Sequence, residues 1–227
     1  MLKNIEKEKQ LAAEEAVKFI RDDQVVGLGS GSTAVYAIHA IGEMVKNGLK
    51  ISGVPTSYKT KALAESLNIP LIDIYSIDSI DITIDGADEF TSDLVLIKGG
   101  GGALLREKIV ASMTKQEIII ADSSKKVDVL GKFKLPIEII PFTTNYVLRK
   151  LQLINGVGKI RVVEGKTYVT DQGNHIIDAD FGLIADPRLL SENLNEIEGV
   201  VEHGLFINLT SMVIMGSGDA VKIFKDE

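Results

Sequence analysis

A lysine, four glycines in a row and a nearby carboxylate form the densest chemical signal in this chain: Lys98-Gly99-Gly100-Gly101-Gly102, with Glu107 shortly after. Glycine loses more backbone freedom on folding than any other residue, so such a run suits backbone that must come very close to something. The apolar run Leu94 to Ile97 ahead of it reads as a buried strand, and a helical pattern opens behind it. A strand, a glycine loop and a helix N-terminus together favour an anion, because free N–H groups and the positive end of the helix dipole point the same way. Lys98 adds a cation at the entrance. Glu107, taken alone, reads as an exposed helix residue beside Arg106 and Lys108. Next to Lys98 and the glycines it reads as a base for the weakly acidic C–H beside a carbonyl, with Lys98 as the electrophile or as a phosphate ligand. The outline is an enzyme site for a small phosphorylated molecule.

Three further loops carry the same character. Gly29-Ser30-Gly31-Ser32-Thr33 lies between a strand and a helix, where backbone N–H groups and hydroxyls can hold a phosphate; the plainer reading is a tight turn with a hydroxyl cap. Ala34 breaks the dinucleotide fingerprint, and the Gly-Lys-Ser/Thr ending of a P-loop is missing. Asp85-Gly86-Ala87-Asp88-Glu89 closes an apolar strand and suits sugar hydroxyls, with Asp85 or Asp88 handling a hydroxyl proton. Against this stands the common solvated acidic turn. No histidine is near, and no metal is expected. In Asp122-Ser123-Ser124-Lys125-Lys126, Lys125 reads as a surface lysine or as a contact to an anionic substrate. His39, His175 and His203 are dispersed and read as structural or exposed, and Gly216-Ser217-Gly218-Asp219 as a turn.

The elements that must position these groups follow from periodicity. Leu11 to Ile20 shows a helical stripe; Val25 to Leu28 and Ile51 to Pro55 read as buried strands, with a helix from about Ala34 to Lys46 between them. Ser57 is placed to cap a helix through Leu67. Leu71 to Tyr75, Ile80 to Ile84 and Glu117 to Ala121 complete the strands of this half. Repeated strand–loop–helix units predict a mostly parallel sheet covered on both faces, with ligands at the carboxyl ends of the strands, where these loops fall. The character changes near Gly131. A helix over about Asn145 to Leu153, strands at Lys159 to Val163 and Thr167 to Thr170, a turn at Asp171-Gln172-Gly173-Asn174 into His175 to Ile177, and a helix from Pro187 to Ile197 read as a small α+β unit, closed by Val200 to Leu205. Phe206 to Leu209, Ser211 to Met215 and Val221 to Phe224 are expected to return to the main sheet. The fold class is therefore α/β, with one domain over 1–130 plus 206–227 and an inserted domain over 131–205.

The 227 residues carry a net charge of −7, with lysine and arginine scattered, which argues against a nucleic-acid partner. The absence of cysteine excludes disulfides, a thiol nucleophile and a cysteine-ligated metal. The start, Met1-Leu2-Lys3-Asn4-Ile5-Glu6, does not read as a signal peptide, and no apolar run is long enough to span a membrane, so a cytoplasmic protein is expected.

In this order the motifs at 29–33, 85–89, 98–108 and 122–125, with Leu-Gly-Lys-Phe-Lys-Leu-Pro-Ile-Glu-Ile-Ile-Pro at 130–141 and Thr-Asp-Gln-Gly-Asn-His-Ile-Ile-Asp at 170–178, resemble ribose-5-phosphate isomerases of the A type. The resemblance covers essentially the whole chain. It implies interconversion of ribose 5-phosphate and ribulose 5-phosphate through a cis-enediolate, in the non-oxidative branch of the pentose phosphate pathway, with no cofactor. By the same resemblance Glu107 is the base, Asp85 assists ring opening and hydroxyl proton traffic, Lys98 stabilises the oxyanion and Asp88 holds hydroxyls. Ser30, Gly31, Ser32 and Thr33 line the substrate and phosphate site; Gly86, Ala87, Gly99, Gly100 and Gly101 surround the substrate; Lys125 completes the pocket, and Lys9 contacts phosphate. It further implies a Rossmann-like main domain, a ferredoxin-like insert, and a homodimer or homotetramer acting on a small sugar phosphate. Two departures stand out: Ser30 where the family often has threonine, and Leu105 where threonine is frequent. Two other classes share parts of this pattern. A sugar-phosphate sensor needs a DNA-reading module, for which the N-terminal helix is too short. A coenzyme A transferase or sugar-phosphate deaminase is separated by coenzyme A consumption or ammonia release.

Overall fold

A computed structural model describes residues 4–225; the ends of the larger expected domain, residues 1–3 and 226–227, and with them part of the start read above, lie outside the described residues. Helix α1 (Ile5–Ala16) leads into strand β1 (Gln24–Leu28), helix α2 (Ser32–Lys46), strand β2 (Ile51–Pro55) and helix α3 (Tyr58–Ser66). Ser57 caps α3 by accepting from the Thr60 N–H at 3.1 Å. Strands β3 (Ile80–Gly86), β4 (Glu89–Phe90) and β5 (Leu96–Ile97), helix α4 (Leu104–Ser112) and strand β6 (Thr114–Asp122) complete the first half. Then come β7 (Leu135–Ile139), α5 (Thr144–Leu153), β8 (Val157–Ile160), the short pair β9 (Val162–Val163) and β10 (Lys166–Thr167), β11 (His175–Asp180), α6 (Pro187–Asn195) and β12 (Val200–His203). Strands β13 (Leu205–Phe206), β14 (Met212–Ser217) and β15 (Ala220–Lys225) close the chain.

The main sheet runs β15-β14-β6-β3-β1-β2, parallel throughout except for β15, which pairs antiparallel at the edge. The near-continuous apolar strands reflect burial on both faces. Along β6, Ile118 and Ile120 pack with Ala12, Ala16, Ile38 and Ile41 of α1 and α2, while Ile119 and Ala121 pack on the other face with Phe90, Ala111 and Phe206. Strand alternation therefore sends Glu117, like Ile119, to the α4 side of the sheet. The second sheet runs β12-β7-β11-β8, all antiparallel. With α5 after β7 and α6 after β11, its βαββαβ order is ferredoxin-like. Its core centres on Ile137, Ile139, Val147, Leu151, Ile177 and Leu194. No helix among the described residues is long and apolar enough to cross a membrane.

Several expected elements differ. Leu71 to Tyr75 is not a strand: it makes one bridge, Gly53 to Leu71, and turns at Ile74–Ser76, where Asp73 accepts from the Tyr75 N–H. The stretch ahead of the glycines is a strand only at Leu96–Ile97, because Leu94 sits at φ 57°. It joins a three-stranded antiparallel sheet, β13-β5-β4, outside the main sheet, and Leu205–Phe206 joins it too instead of returning to the main sheet. The strand Leu135–Ile139 was hidden by Pro136 and Pro141, yet it is central and fully buried; the Pro136 carbonyl still accepts from the Gly204 N–H at 2.8 Å. Of Thr167 to Thr170, only Thr167 is in a ladder, with Val169 making a single bridge to His175.

Candidate active site

The carboxyl ends of β1 and β3 approach so closely that a Cβ on Gly29 would lie 2.5 Å from Asp85 Cα. That contact puts the 29–33 loop on the acidic loop. Asp85 Oδ1 accepts from the N–H groups of Ser30 (2.9 Å) and Gly86 (2.7 Å), and Oδ2 stands 2.9 Å from the Lys98 ammonium. Lys98 also donates to the Gly86 carbonyl and lies over the Phe206 ring at 5.3 Å. Glu107, in the first turn of α4, faces the same ammonium at 3.5 Å. Lys98, Asp85 and Glu107 are 2%, 1% and 5% exposed, so these charges interact with little water to screen them.

Burial pushes the Glu107 carboxyl up to about 8, with Asp85 and Asp88 adding to the rise and Lys98 opposing it. Burial works against the Lys98 charge, but Asp85 and Glu107 outweigh it and hold the ammonium above its ordinary value. Glu117 joins the cluster from β6, paired in register with Thr83. Neither of its carboxylate oxygens has a hydrogen-bond partner among the described residues, and burial, with Asp85 next, holds it well above the usual carboxylate range. Asp88 is raised by burial, against the Gly100 N–H that donates to its Oδ2 at 2.7 Å and the charges of Lys98, Lys125 and Arg161.

Ser30, Gly31, Ser32, Thr33, Gly86, Ala87, Asp88, Lys98, Gly99, Gly100, Gly101, Glu107 and Lys125 line one cleft, with Asp85 buried behind it. The N-terminus of α2 opens there with no side-chain cap, and Gly31, at φ 99°, supplies the turn into it. Uncapped N–H groups and Lys125 make that end suited to a phosphate. Lys9 is not part of the lining; its ammonium is held by Glu6 at 2.7 Å. The Ser30 hydroxyl is engaged below the loop, 2.8 Å from both Thr56 Oγ1 and Ser57 Oγ and 3.1 Å from Thr60 Oγ1. Glu89 turns away from the cleft and accepts from the Gly131 and Phe133 N–H groups. Arg106 and Lys108 do not pair with Glu107: Arg106 reaches Asp171 and Gln172, and Lys108 reaches Glu202.

Sequence reasoning overlooked three sets of residues. Thr56, Ser57 and Thr60 brace the 29–33 loop, a role signalled by hydroxyls at the carboxyl end of β2. Glu117 was masked by its place in a strand. Arg161, just past the end of β8, reaches the tetraglycine loop, and local sequence carries no sign of that contact. His203 is buried, and burial with nearby Lys108 depresses it to about 3, so it stays neutral; His39 is exposed.

The family model described as ribose 5-phosphate isomerase A (phosphoriboisomerase A) matches residues 52–220. A relative named ribose-5-phosphate isomerase A from Bacillus mycoides is 50% identical over 94% of this chain and 97% of its own length. One of the same name from Sphingopyxis alaskensis is 46% identical over 98% and 97%. A solved D-ribose-5-phosphate isomerase in complex with phospho-erythronic acid superposes with a TM-score of 0.95 at 42% identity, over 98% of this chain and 100% of that one. The ribose 5-phosphate isomerase A from Methanocaldococcus jannaschii superposes at 0.92 with 40% identity, over 96% and 98%.

Proposed function

This chain belongs to the ribose-5-phosphate isomerase A family, and from that premise we propose that it interconverts D-ribose 5-phosphate and D-ribulose 5-phosphate by proton transfer through a cis-enediolate. The observation that carries the reading is Glu107: a buried carboxylate beside a protonated lysine, with its titration raised to about 8. A base that titrates near the working pH combines a useful ionised fraction with enough basicity to take a carbon-bound proton.

In the open-chain aldose, Glu107 takes the C2 proton while the C1 carbonyl electrons move onto O1. The Lys98 ammonium stabilises that oxyanion in a dry site, where one fixed charge is worth far more than in water. A proton passes from O2 to O1, with Asp85 as the adjacent carrier, and Glu107 returns its proton to C1, leaving the C2 ketone. Asp85 also assists opening of the furanose ring. Asp88 binds hydroxyls, and the phosphate sits at the N-terminus of α2 with Lys125. Every step uses side chains of this chain. We assign the reaction to the non-oxidative branch of the pentose phosphate pathway and to the cytoplasm, carried out by a homodimer or homotetramer, and we divide the chain into domains at 131 and 205.

The test is ketose formation from ribose 5-phosphate by metal-stripped protein, with Glu107→Gln alongside. Removing a general base costs roughly 10²–10⁴-fold, and more where it is the sole proton carrier, so turnover is expected to collapse while sugar phosphate still binds. Near-normal turnover in the variant refutes the role of Glu107; an inactive wild type that binds the sugar phosphate points to a sensor.

A further inference from the structure

We propose that Arg161 is a positioning residue for this site: from the ferredoxin-like half it holds the carbonyls of Gly99 and Gly100, and so aims the Gly100 and Gly101 N–H groups at Asp88 and the cleft. The inference rests on the isomerase reading above. Arg161 does not line the cleft. Its Nη1 donates to the Gly99 carbonyl at 3.0 Å and to the Gly100 carbonyl at 3.1 Å. Asp178 braces the guanidinium from behind, accepting from Nε at 2.9 Å and from Nη2. The Arg161 backbone is itself fixed, its N–H donating to Ile176 and its carbonyl accepting from Tyr168.

Peptide planarity converts this grip into an orientation. In a trans peptide the C=O and the following N–H point in opposite directions. With the Gly99 carbonyl on Arg161, the Gly100 N–H must point the other way, and it does, onto Asp88 Oδ2 at 2.7 Å. Holding the Gly100 carbonyl likewise turns the Gly101 N–H towards the cleft that Gly101 lines. Glycines left to themselves sample many backbone states, and Gly99 and Gly102 occupy φ of 100° and 85°. A planar guanidinium with several donors in a fixed fork can satisfy two carbonyls and a carboxylate together, which a lysine cannot. Tyr168, whose hydroxyl lies 3.4 Å from the Gly101 carbonyl, supports the same loop from the same side.

The test uses full-length Arg161→Ala and Arg161→Lys. A misplacement of about 1 Å can cost about 10²-fold, so kcat/KM for ribose 5-phosphate is expected to fall about that far in Arg161→Ala and less in Arg161→Lys. Added methylguanidinium is expected to restore part of the loss in Arg161→Ala and to leave the wild type unchanged. Amide hydrogen exchange in the peptide spanning 98–104 is expected to quicken. Should Arg161→Ala fail to fold because Asp178 is left as an uncompensated charge, Arg161→Ala/Asp178→Asn removes that charge and is read the same way. Exchange in 98–104 that matches wild type overturns the proposal, as does a kcat/KM within threefold of wild type. The exchange reading needs no turnover, so an inactive wild type defeats the isomerase reading alone and leaves the clamp to be judged on exchange.

Discussion

Asp85, Glu107 and Glu117 crowd round one buried ammonium, Lys98. Asp85 has the shortest contact to it and accepts from two backbone N–H groups. Glu117 has no donor among the described residues, and burial raises it well above the usual carboxylate range. Glu107 is raised to about 8, by burial first. A base works only when deprotonated, so kcat/KM should rise about tenfold per pH unit below that value and level off above it. Initial rates at low substrate, taken from about pH 6 to about pH 9.5, locate that limb. A profile flat down to pH 6 contradicts the assignment. The types and spacing of these residues were legible in the chain, since Lys98, Asp85 and Glu107 sit in recognisable loops. Glu117 was not, because an acid within an apolar strand shows its meaning only when strand alternation and register place it beside Thr83.

Among the elements, the parallel pairing of β1 with β3, whose carboxyl ends lie side by side, sets the site. Gly29 is required there for closeness: a Cβ would fall 2.2 Å from Asp85 Oδ1 and 2.5 Å from its Cα, and the Cα cannot step aside as a side-chain tip can. Gly29→Ala should therefore displace Asp85 from Lys98, lowering kcat/KM by about 10²-fold, as misplacements of about 1 Å do, along with a loss of thermal stability. Rates and a melting temperature that both match wild type would show that the two strands can part without consequence. The parallel strands, α1 to α4 and the capping role of Ser57 were readable from period and end signals. The failures have particular causes. Pro136 and Pro141 break up the stretch ahead of α5, so its central strand carries no strand signal, although a proline whose carbonyl remains bonded can still stand in a ladder. The glycine loop leans on a small antiparallel sheet, and two-residue strands such as Leu96–Ile97 are too short to show any period.

At the scale of the whole molecule, the cleft is lined by the first half of the chain and braced by the second. The parallel sheet supplies Asp85 and the 29–33 loop, α4 supplies Glu107, the ferredoxin-like half braces the glycine loop through Arg161 and Tyr168, and the Asp171 carboxylate ties that half to α3 by accepting from the Tyr58 N–H at 2.8 Å. No local pattern encodes those long-range braces, which is why the 171–174 turn is legible in sequence while its purpose is not. The proposed reaction turns on a proton carried by Glu107, and the most direct test follows that proton. Ribose 5-phosphate is turned over in deuterium oxide through many cycles, with Glu107→Gln in parallel, and C1 of the ketose is read by NMR. Proton transfer through Glu107 predicts solvent deuterium at C1 with the wild type and none with the variant. If hydrogen from C2 instead arrives at C1 undiluted through many turnovers, the reaction is a hydride shift and the enediolate account is wrong.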